Sequence, residues 1–425
     1  MTKGKLAARY IVGLAASLFI AFSVFSTQLT VVGPAHAAQG APVPLLETGR
    51  PVDWWFVFKF NATSFPGCGG AFTDNRSCPF GGEVQKYRFS QQFVYATNEN
   101  KKLEKGSGCA GATTKDPLGA TFEQVFNKSY FYVIWNDQFY DDPEIEGCTK
   151  SCGSPWGHSK GMLAWNKEGE GFVLQVTTPS WPAAGSKKFP RETNGNTLGC
   201  IDTNNVTFSQ HFFALRLTKS DLVKVLKALG NASIVTDPEN KQIVNNGGPA
   251  DIQKLVKGFG VRSKNTLVTK DKLSTGVELI AKPSALHVPP WQMISAELGG
   301  VALRTATWWA SPKIPSTTTS TQISCWTDKL AKPGPVEIAT TGQWNKKTFG
   351  LKGGSNHAKI GVSISGGGHY AIFGDLNQQG AVSGTSCKRS QNGRGGLFFV
   401  IQDETLAGSI GNLIKGETAS TEEPQ

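Results

Sequence analysis

Two segments of this chain share one plan, and that plan limits the folds open to it. Gly157-His158-Ser159-Lys160-Gly161 leads through GMLAWN, a polar turn at Lys167-Glu168-Gly169-Glu170, and a second apolar run, GFVLQVTT, from Gly171 to Thr178. Far along the chain, Asn356-His357-Ala358-Lys359 leads through IGVSI, a glycine turn at Gly366-Gly367-Gly368, and HYAIFGDL from His369 to Leu376. Each copy is a polar His-x-Lys entering a strand, then a tight turn, then an apolar return strand. Two copies predict two similar units, each carrying a hairpin, and spend two of the six histidines in the chain.

Side chains at i and i+2 of a strand project to one face. His158 and Lys160 should therefore point together, as should His357 and Lys359. Lysine can hold phosphate oxygens, and imidazole can act as a nucleophile when neutral or as an acid when protonated. Two such pairs facing each other would grip a phosphodiester and set one imidazole on each side of phosphorus, as in-line displacement requires. The lysines supply the charge stabilisation, so this reading calls for no metal and no cofactor.

Strands are also expected at Trp54 to Asn61, Tyr130 to Asp137, His211 to Leu217, Arg304 to Ala310 and Gly396 to Gln402, from their aromatic and β-branched content. A helix is expected after an N-cap at Ser220, ended by Gly230, and a shorter one over Ala250 to Val256. Residues 231–275 are polar and rich in Asn, Gly and Lys. The organisation predicted is a first unit over 38–230, a connecting segment over 231–275, a second unit over 276–410 and a disordered tail over 411–425.

Residues 1–37 have the parts of a cleavable export signal: Lys3, Lys5 and Arg9, an apolar run from Tyr10 to Phe25, and Ala35-His36-Ala37 as the cut site. The expected location is outside the cytoplasm, periplasmic or secreted, with no stable membrane insertion after the cut. All eight cysteines follow this leader and fit an oxidising compartment. Cys68 and Cys78, or Cys148 and Cys152, are close enough to close small loops, but eight cysteines allow on the order of a hundred pairings and the sequence chooses none. The formal net charge of +11 suits a polyanionic partner; it equally suits a basic, soluble surface.

GRPVDWWFVFKFN, WNDQ, GHSKGMLAWNKEGEGFVLQVTTPSWP, QHFFALRL, NHAKIGVS, FGDLN and GRGG occur here in the order found in the deoxyribonuclease II family. The resemblance runs from about Gly49 to Gln402. It implies an α/β (α+β) fold of two phospholipase D-like halves, each a mixed sheet flanked by helices, forming a pseudo-dimer. It also implies DNA as substrate, cleaved without a metal to 3′-phosphate and 5′-hydroxyl ends through a phosphohistidine intermediate, with an acid-leaning optimum. By that analogy His158 and His357 share the nucleophile and acid roles, His158 being the nucleophile, and Lys160 and Lys359 bind phosphate. The sequence departs from the wider superfamily, whose Asp five residues after the lysine is replaced by Trp165 and Ile364. It departs from the narrower family in reading HAKI where HSKW is common, and in a substituted stretch at His287-Val288-Pro289-Pro290-Trp291.

Around this pair of motifs, Asp375 and Asn377 are candidates to orient His357 or bind phosphate, or else a turn-forming pair. Thr177 is a candidate partner for lysine or phosphate. Asn136 and Asp137 either line the site or end a strand. Lys59 is either a phosphate contact or a snorkelling surface lysine. Trp54 and Trp55 are expected in the core, and His211, His287 and His369 in structural roles. The acidic cluster Asp141, Asp142, Glu144 and Glu146 reads as a solvated loop. Two other functions fit the residues: a phospholipase D-like phosphodiesterase on another substrate, and a non-catalytic polyanion-binding protein.

Overall fold

The apolar runs on either side of each turn pair with each other, and the two hairpins so formed sit in separate sheets. The structure is a computed structural model, described at residues 40–66, 92–108, 110–111, 113–126, 130–138, 151–179, 208–241 and 243–422. The expected export leader, the acidic cluster at 141–146 and Cys68, Cys78, Cys109, Cys148 and Cys200 lie outside these residues.

A short ladder of β1 (Leu45–Glu47) and β2 (Arg50–Pro51) precedes the first sheet. That sheet contains β3 (Trp54–Lys59), β4 (Phe93–Thr97), β5 (Glu104–Lys105), β6 (Phe131–Asn136), β7 (Lys160–Trp165), β8 (Gly171–Val176), β9 (Gln210–Leu217) and β10 (Val244–Asn245). Its order is β10-β6-β7-β8-β9-β3-β4-β5, and the pairs are antiparallel. The second sheet is built from β11 (Thr269–Lys272), β12 (Glu278–Lys282), β13 (Leu303–Ala306) and β14 (Val336–Ile338). After a separate hairpin of β15 (Thr341–Trp344) and β16 (Lys347–Gly350), the chain returns to it with β17 (Ile360–Ser363), β18 (Tyr370–Gly374) and β19 (Gly396–Gln402). Its order is β11-β12-β19-β18-β17-β13-β14, with β13 and β14 parallel. The segment 231–275 gives an edge strand to each sheet, β10 to the first and β11 to the second.

The described helices are α1 (Pro117–Phe126), α2 (Lys219–Asn231), α3 (Ala250–Lys257), α4 (Pro290–Glu297) and α5 (Glu404–Leu413). The α2 cap is Thr218 rather than Ser220. Its hydroxyl accepts the Asp221 amide and the Asp221 carboxylate accepts the Thr218 amide, a reciprocal pair that satisfies two donors at once. The strand expected to run on to Ala310 stops at Ala306, leaving Trp308 and Trp309 beyond the ladder.

Period two explains how the sheets meet. On β18 and β19, Ala371, Phe373, Leu397, Phe399 and Ile401 join a core shared with the first sheet, while Ile372, Phe398 and Val400 join one shared with Trp291, Met293 and Ile294 of α4. The rings of Phe56 and Phe373 stack at 4.5 Å, and those of Phe213 and Phe373 at 4.7 Å. Residues Gly40–Gln425 thereby form one compact unit, and α2 packs on strands of both sheets.

The expected disordered tail is corrected over residues 411–422. The Arg304 guanidinium, nearly buried, donates to the carbonyls of Ile414, Gly416 and Glu417 and to the Thr418 hydroxyl. The polar composition that suggested disorder supplies few core contacts of its own, but one arginine binds the backbone in their place. A disulfide joins Cys325 to Cys387 across 62 residues of sequence, and Cys152 is also disulfide-bonded.

Candidate active site

The two His-x-Lys segments meet through a reciprocal exchange of backbone hydrogen bonds. The His158 amide donates to the carbonyl of Gly395 at 2.8 Å, one residue before β19 of the second sheet. The His357 amide donates to the carbonyl of Ser209 at 2.7 Å, one residue before β9 of the first sheet. Each motif is thus registered by the residue that leads into a strand of the opposite sheet, β19 for His158 and β9 for His357. Such an approach needs glycine: a Cβ on Gly395 would lie 2.2 Å from the Ala232 carbonyl oxygen, and one on Gly157 2.7 Å from it.

Side chains continue the exchange. His158 Nδ1 lies 2.8 Å from the Asp375 carbonyl oxygen, which can only accept, so Nδ1 carries the proton and Nε2 keeps its lone pair. The amide of Lys359 donates to His211 Nδ1 at 3.1 Å. His211 Nε2 must then be the protonated nitrogen, and it faces Gln175 Oε1 at 3.2 Å. The Gln175 amide nitrogen donates in turn to Asp375 Oδ1 at 3.0 Å. One unambiguous backbone donor therefore fixes the direction of a buried chain from Lys359 through His211 and Gln175 to Asp375, whose carbonyl holds His158.

The halves differ in charge. Lys160 is 2.6 Å from Asp137 Oδ1, and Arg394 is 2.8 Å from Asp137 Oδ2, a buried cation–anion–cation group. Burial alone would raise the Asp137 carboxyl, but Lys160 and Arg394 outweigh it and hold it well below the usual carboxylate range. Arg394 also donates to the carbonyls of Cys152, Trp156 and Gly157, so it clamps the approach to His158. Lys359 makes no ion pair among the described residues; its ammonium donates to the His357 carbonyl at 2.7 Å. Burial, then the nearby Lys160 charge, depress its pKa well below the ordinary lysine value, although Asp137 and Asp375 oppose them.

Both imidazoles are almost enclosed, with 5% of His158 and 8% of His357 exposed. Burial lowers both well below the free-imidazole value. Asp137 opposes that shift at His158, while Lys160 and Lys359 add to it at both rings. Each ring is therefore within electrostatic reach of the lysine of the opposite motif. The His357 ring lies parallel to Trp308, 5.2 Å between centroids and 9° between planes, and meets the edge of Phe208 at 4.7 Å.

The remaining predicted residues fall in several places. Asp375 stands at His158 rather than His357: its carboxylate accepts the Leu397 amide and Gln175, and burial pushes it up to about 7 against those bonds and Ser159. Thr177 occupies the matching position of the first sheet, accepting the His211 amide at 2.9 Å and donating to the His211 carbonyl, so it touches neither motif lysine. Asn377 is buried, donates to Gln379, and its Oδ1 lacks a partner among the described residues. Asn136 is the ladder partner of Lys160, and its Oδ1 accepts the Gln138 amide. Lys59 is fully buried, donates to the Phe208 carbonyl at 2.6 Å, is pushed down to about 7 by burial, and acts electrostatically on His357. Trp54 and Trp55 are core residues.

Arg394, Gln175, Trp308 and the polar role of His211 were not singled out in the sequence as site features. Arg394 stands in the quoted GRGG, and Gln175 is the one amide inside an otherwise apolar return strand; both were visible signals. Trp165, five residues after Lys160, lies opposite Phe131 at the other end of β7, and the carboxylate beside Lys160 comes instead from Asp137, which follows Asn136 at the end of the neighbouring strand.

A family model described as deoxyribonuclease II matches residues 44–418. Among curated proteins, the deoxyribonuclease-2-alpha of Sus scrofa is 28% identical over 162 residues, covering 36% of this chain and 38% of that protein. That of Rattus norvegicus is 29% identical over 173 residues, 39% and 41% of the two chains. That of Mus musculus is 24% identical over 224 residues, 47% and 55%. The matched stretches span roughly two fifths to just over half of these relatives.

Proposed function

Because the chain belongs to the deoxyribonuclease II family, with its phospholipase D-like fold, we propose that it is an endodeoxyribonuclease that hydrolyses DNA without a metal, through a phosphohistidine intermediate. The observation that supports this reading is the reciprocal bonding of the two His-x-Lys motifs to the opposite sheets. It brings two imidazoles and two lysines into one buried polar region.

In the proposed reaction Lys160 and Lys359 hold the non-bridging oxygens of one phosphodiester. The Nε2 lone pair of His158 attacks phosphorus, and the bond from phosphorus to the 5′ oxygen breaks. Protonated His357 gives its proton to that oxygen, releasing a 5′-hydroxyl. The imidazole of His158 becomes a phosphoimidazolium whose Nδ1–H stays on the Asp375 carbonyl. Neutral His357 then takes a proton from water as the water oxygen attacks phosphorus. The phosphorus–nitrogen bond breaks, leaving a 3′-phosphate and restoring both rings. The carbonyl on Nδ1 supports the choice of His158 as the nucleophile.

The pH dependence follows from burial. The acid must be protonated while the nucleophile is neutral, and burial depresses both rings. The rate should rise as pH falls below neutrality and fall again once His158 protonates, giving a maximum below the free-imidazole value of about 6.5. The two rings share one site, so the limbs report the pair. Export of the protein, by the leader at 1–37, is part of the same proposal.

The test is supercoiled-plasmid nicking in EDTA from acid to alkaline pH, with end-group analysis and a rapid denaturing quench for label retained on protein. Cutting in chelator with 3′-phosphate ends and a label absent from His158→Ala is the expected result. Complete loss of cutting in EDTA, or a rate flat in pH, would defeat the mechanism. Release of phospholipid headgroups with no nicking would transfer the same chemistry to a different substrate.

A further inference from the structure

The loop over residues 260–267 is tied to the first motif at one residue and carries chemistry that the reaction above does not use. Ser233 has φ +57 and is buried. Its carbonyl accepts the Gly157 amide at 2.8 Å, directly before His158. Its hydroxyl accepts the Ser263 amide at 2.9 Å, inside the loop, and bonds Ser284 at 2.7 Å. A second tie joins Asn265 to Asn231 at the end of α2, at 2.8 Å. The loop is therefore fixed to the same backbone that positions the His158 ring.

Its surface is unusual in this protein. Three large apolar side chains are strongly exposed among the described residues, and two of them, Val261 at 66% and Leu267 at 53%, are here. Arg262 and Lys264 between them are exposed and make no ion pair among the described residues. Arg262 lies over the half-buried Trp156 ring, 5.8 Å from its centroid. Trp156 is two residues from His158, at most about 7 Å of extended chain. Cations beside a partly open indole and short apolar side chains match a nucleic-acid strand, with phosphates on the cations and a base face on the ring.

We infer that this loop and Trp156 form the arm of the substrate site that receives the DNA strand flanking the scissile phosphate on the His158 side. The inference rests on the nuclease reading. Arg262 and Lys264 take two backbone phosphates, and Trp156 stacks on a base. Recognition of this kind is insensitive to sequence and strongly sensitive to salt.

The experiment measures binding of a fluorescent single-stranded oligonucleotide to full-length His158→Ala protein, so that the ligand is not cut, as a function of salt. Adding Arg262→Ala and Lys264→Ala should flatten the slope of log K against log salt by roughly 1.5, and weaken binding roughly tenfold near physiological salt. Removing the same charge at the far edge of the first sheet, as Lys102→Ala beside β5 with Lys105→Ala on it, should leave the slope unchanged. Lys264→Ala alone should give about half the shift, which keeps the test available if the double variant does not fold. Equal slopes for arm and edge variants overturn the inference. So does an unchanged slope with lost binding to phosphatidylserine vesicles, which would make the loop a membrane contact. Wild-type nicking of DNA with unchanged slopes sinks the arm and spares the nuclease reading; absence of nicking by the wild type sinks both.

Discussion

The His158 half-site and the His357 half-site have the same backbone geometry and opposite chemistry. In the first, the lysine is neutralised by Asp137, with Arg394 as a second cation, and the imidazole is oriented by a carbonyl on Nδ1. In the second, the lysine has no carboxylate within ion-pair distance among the described residues, and the imidazole is held by the face of Trp308 and a T-shaped contact with Phe208. A repeated scaffold therefore need not repeat a role. In the proposed reaction the first half would keep the nucleophile aimed in a field that Asp137 already compensates. The second leaves a buried cation whose missing counter-charge a phosphate can supply.

The sharpest test of that division is a change of leaving group. His158→Ala should lose at least about 10⁴-fold in kcat on DNA, as when a nucleophile is removed, and His357→Ala roughly 10²–10⁴-fold, the range for a general acid. An aryl phosphodiester, whose leaving oxygen needs no proton, should recover much of the His357→Ala defect and none of the His158→Ala defect. Equal recovery in both variants would erase the distinction between the halves.

Stability should separate the lysines next. Lys160→Met leaves Asp137 buried with half of its compensation and should destabilise the fold by about 3 kcal/mol, the lower range for breaking a buried pair. Lys359→Met removes a buried lysine with no ion-pair partner among the described residues and should leave the melting temperature unchanged or raised, while kcat/KM for DNA falls by roughly 10²–10³-fold. Chemical denaturation beside steady-state kinetics reads both. If Lys359→Met were as destabilising as Lys160→Met, the second half would hold a compensation absent from this account.

Acid stability gives a smaller effect with a definite sign. His158, His357 and His211 have folded-state pKa values below the unfolded value, so their contribution is full above about 6.5 and is lost as pH falls through their folded values. Asp375 works the other way: with its pKa raised to about 7, its contribution is full below the unfolded value and is lost as pH rises through about 7. Between roughly pH 4 and 6.5 the two oppose each other. Asp375→Asn removes the opposing part, so the fall in stability on acidification should steepen by up to about 1.4 kcal/mol per pH unit. An unchanged slope in denaturant titrations would mean that Asp375 is ionised in the fold.

What the sequence disclosed follows the same contrast. The hairpins were legible because continuous apolar runs flank glycine-containing polar turns; the His-x-Lys pairs came from side-chain type at fixed spacing, and Asp375, Asn377 and Thr177 from their position at the strand ends. The partnership of Asp137 with Lys160 was not legible. It depends on the antiparallel register that sets Asn136 opposite Lys160 and so brings the next residue to the ammonium. Arg394 and Gln175 act across 257 and 200 residues of sequence, a relation that no local pattern contains. His211 was assigned a structural role because it lacks a lysine two residues on. Its lysine is Lys359, reached through the backbone of the other sheet.

Trp308 offers the finest probe of the His357 half. Its indole lies flat on the imidazole, and an aromatic face favours a cation by about 0.5–2 kcal/mol, depending on desolvation. Burial and the two motif lysines push the ring toward neutrality, so in the proposed reaction this face would be a local counterweight that helps His357 keep its proton. Trp308→Leu should move the alkaline limb of the pH profile to lower pH and reduce kcat on DNA about threefold to thirtyfold at the optimum. Trp308→Phe should restore most of it, because a face is retained. On an aryl phosphodiester the Leu variant should show a much smaller deficit, since no proton is needed at the leaving oxygen. A deficit equal on both substrates would assign Trp308 to substrate contact in place of support for His357, and would move the aromatic wall of the second half from proton transfer to binding.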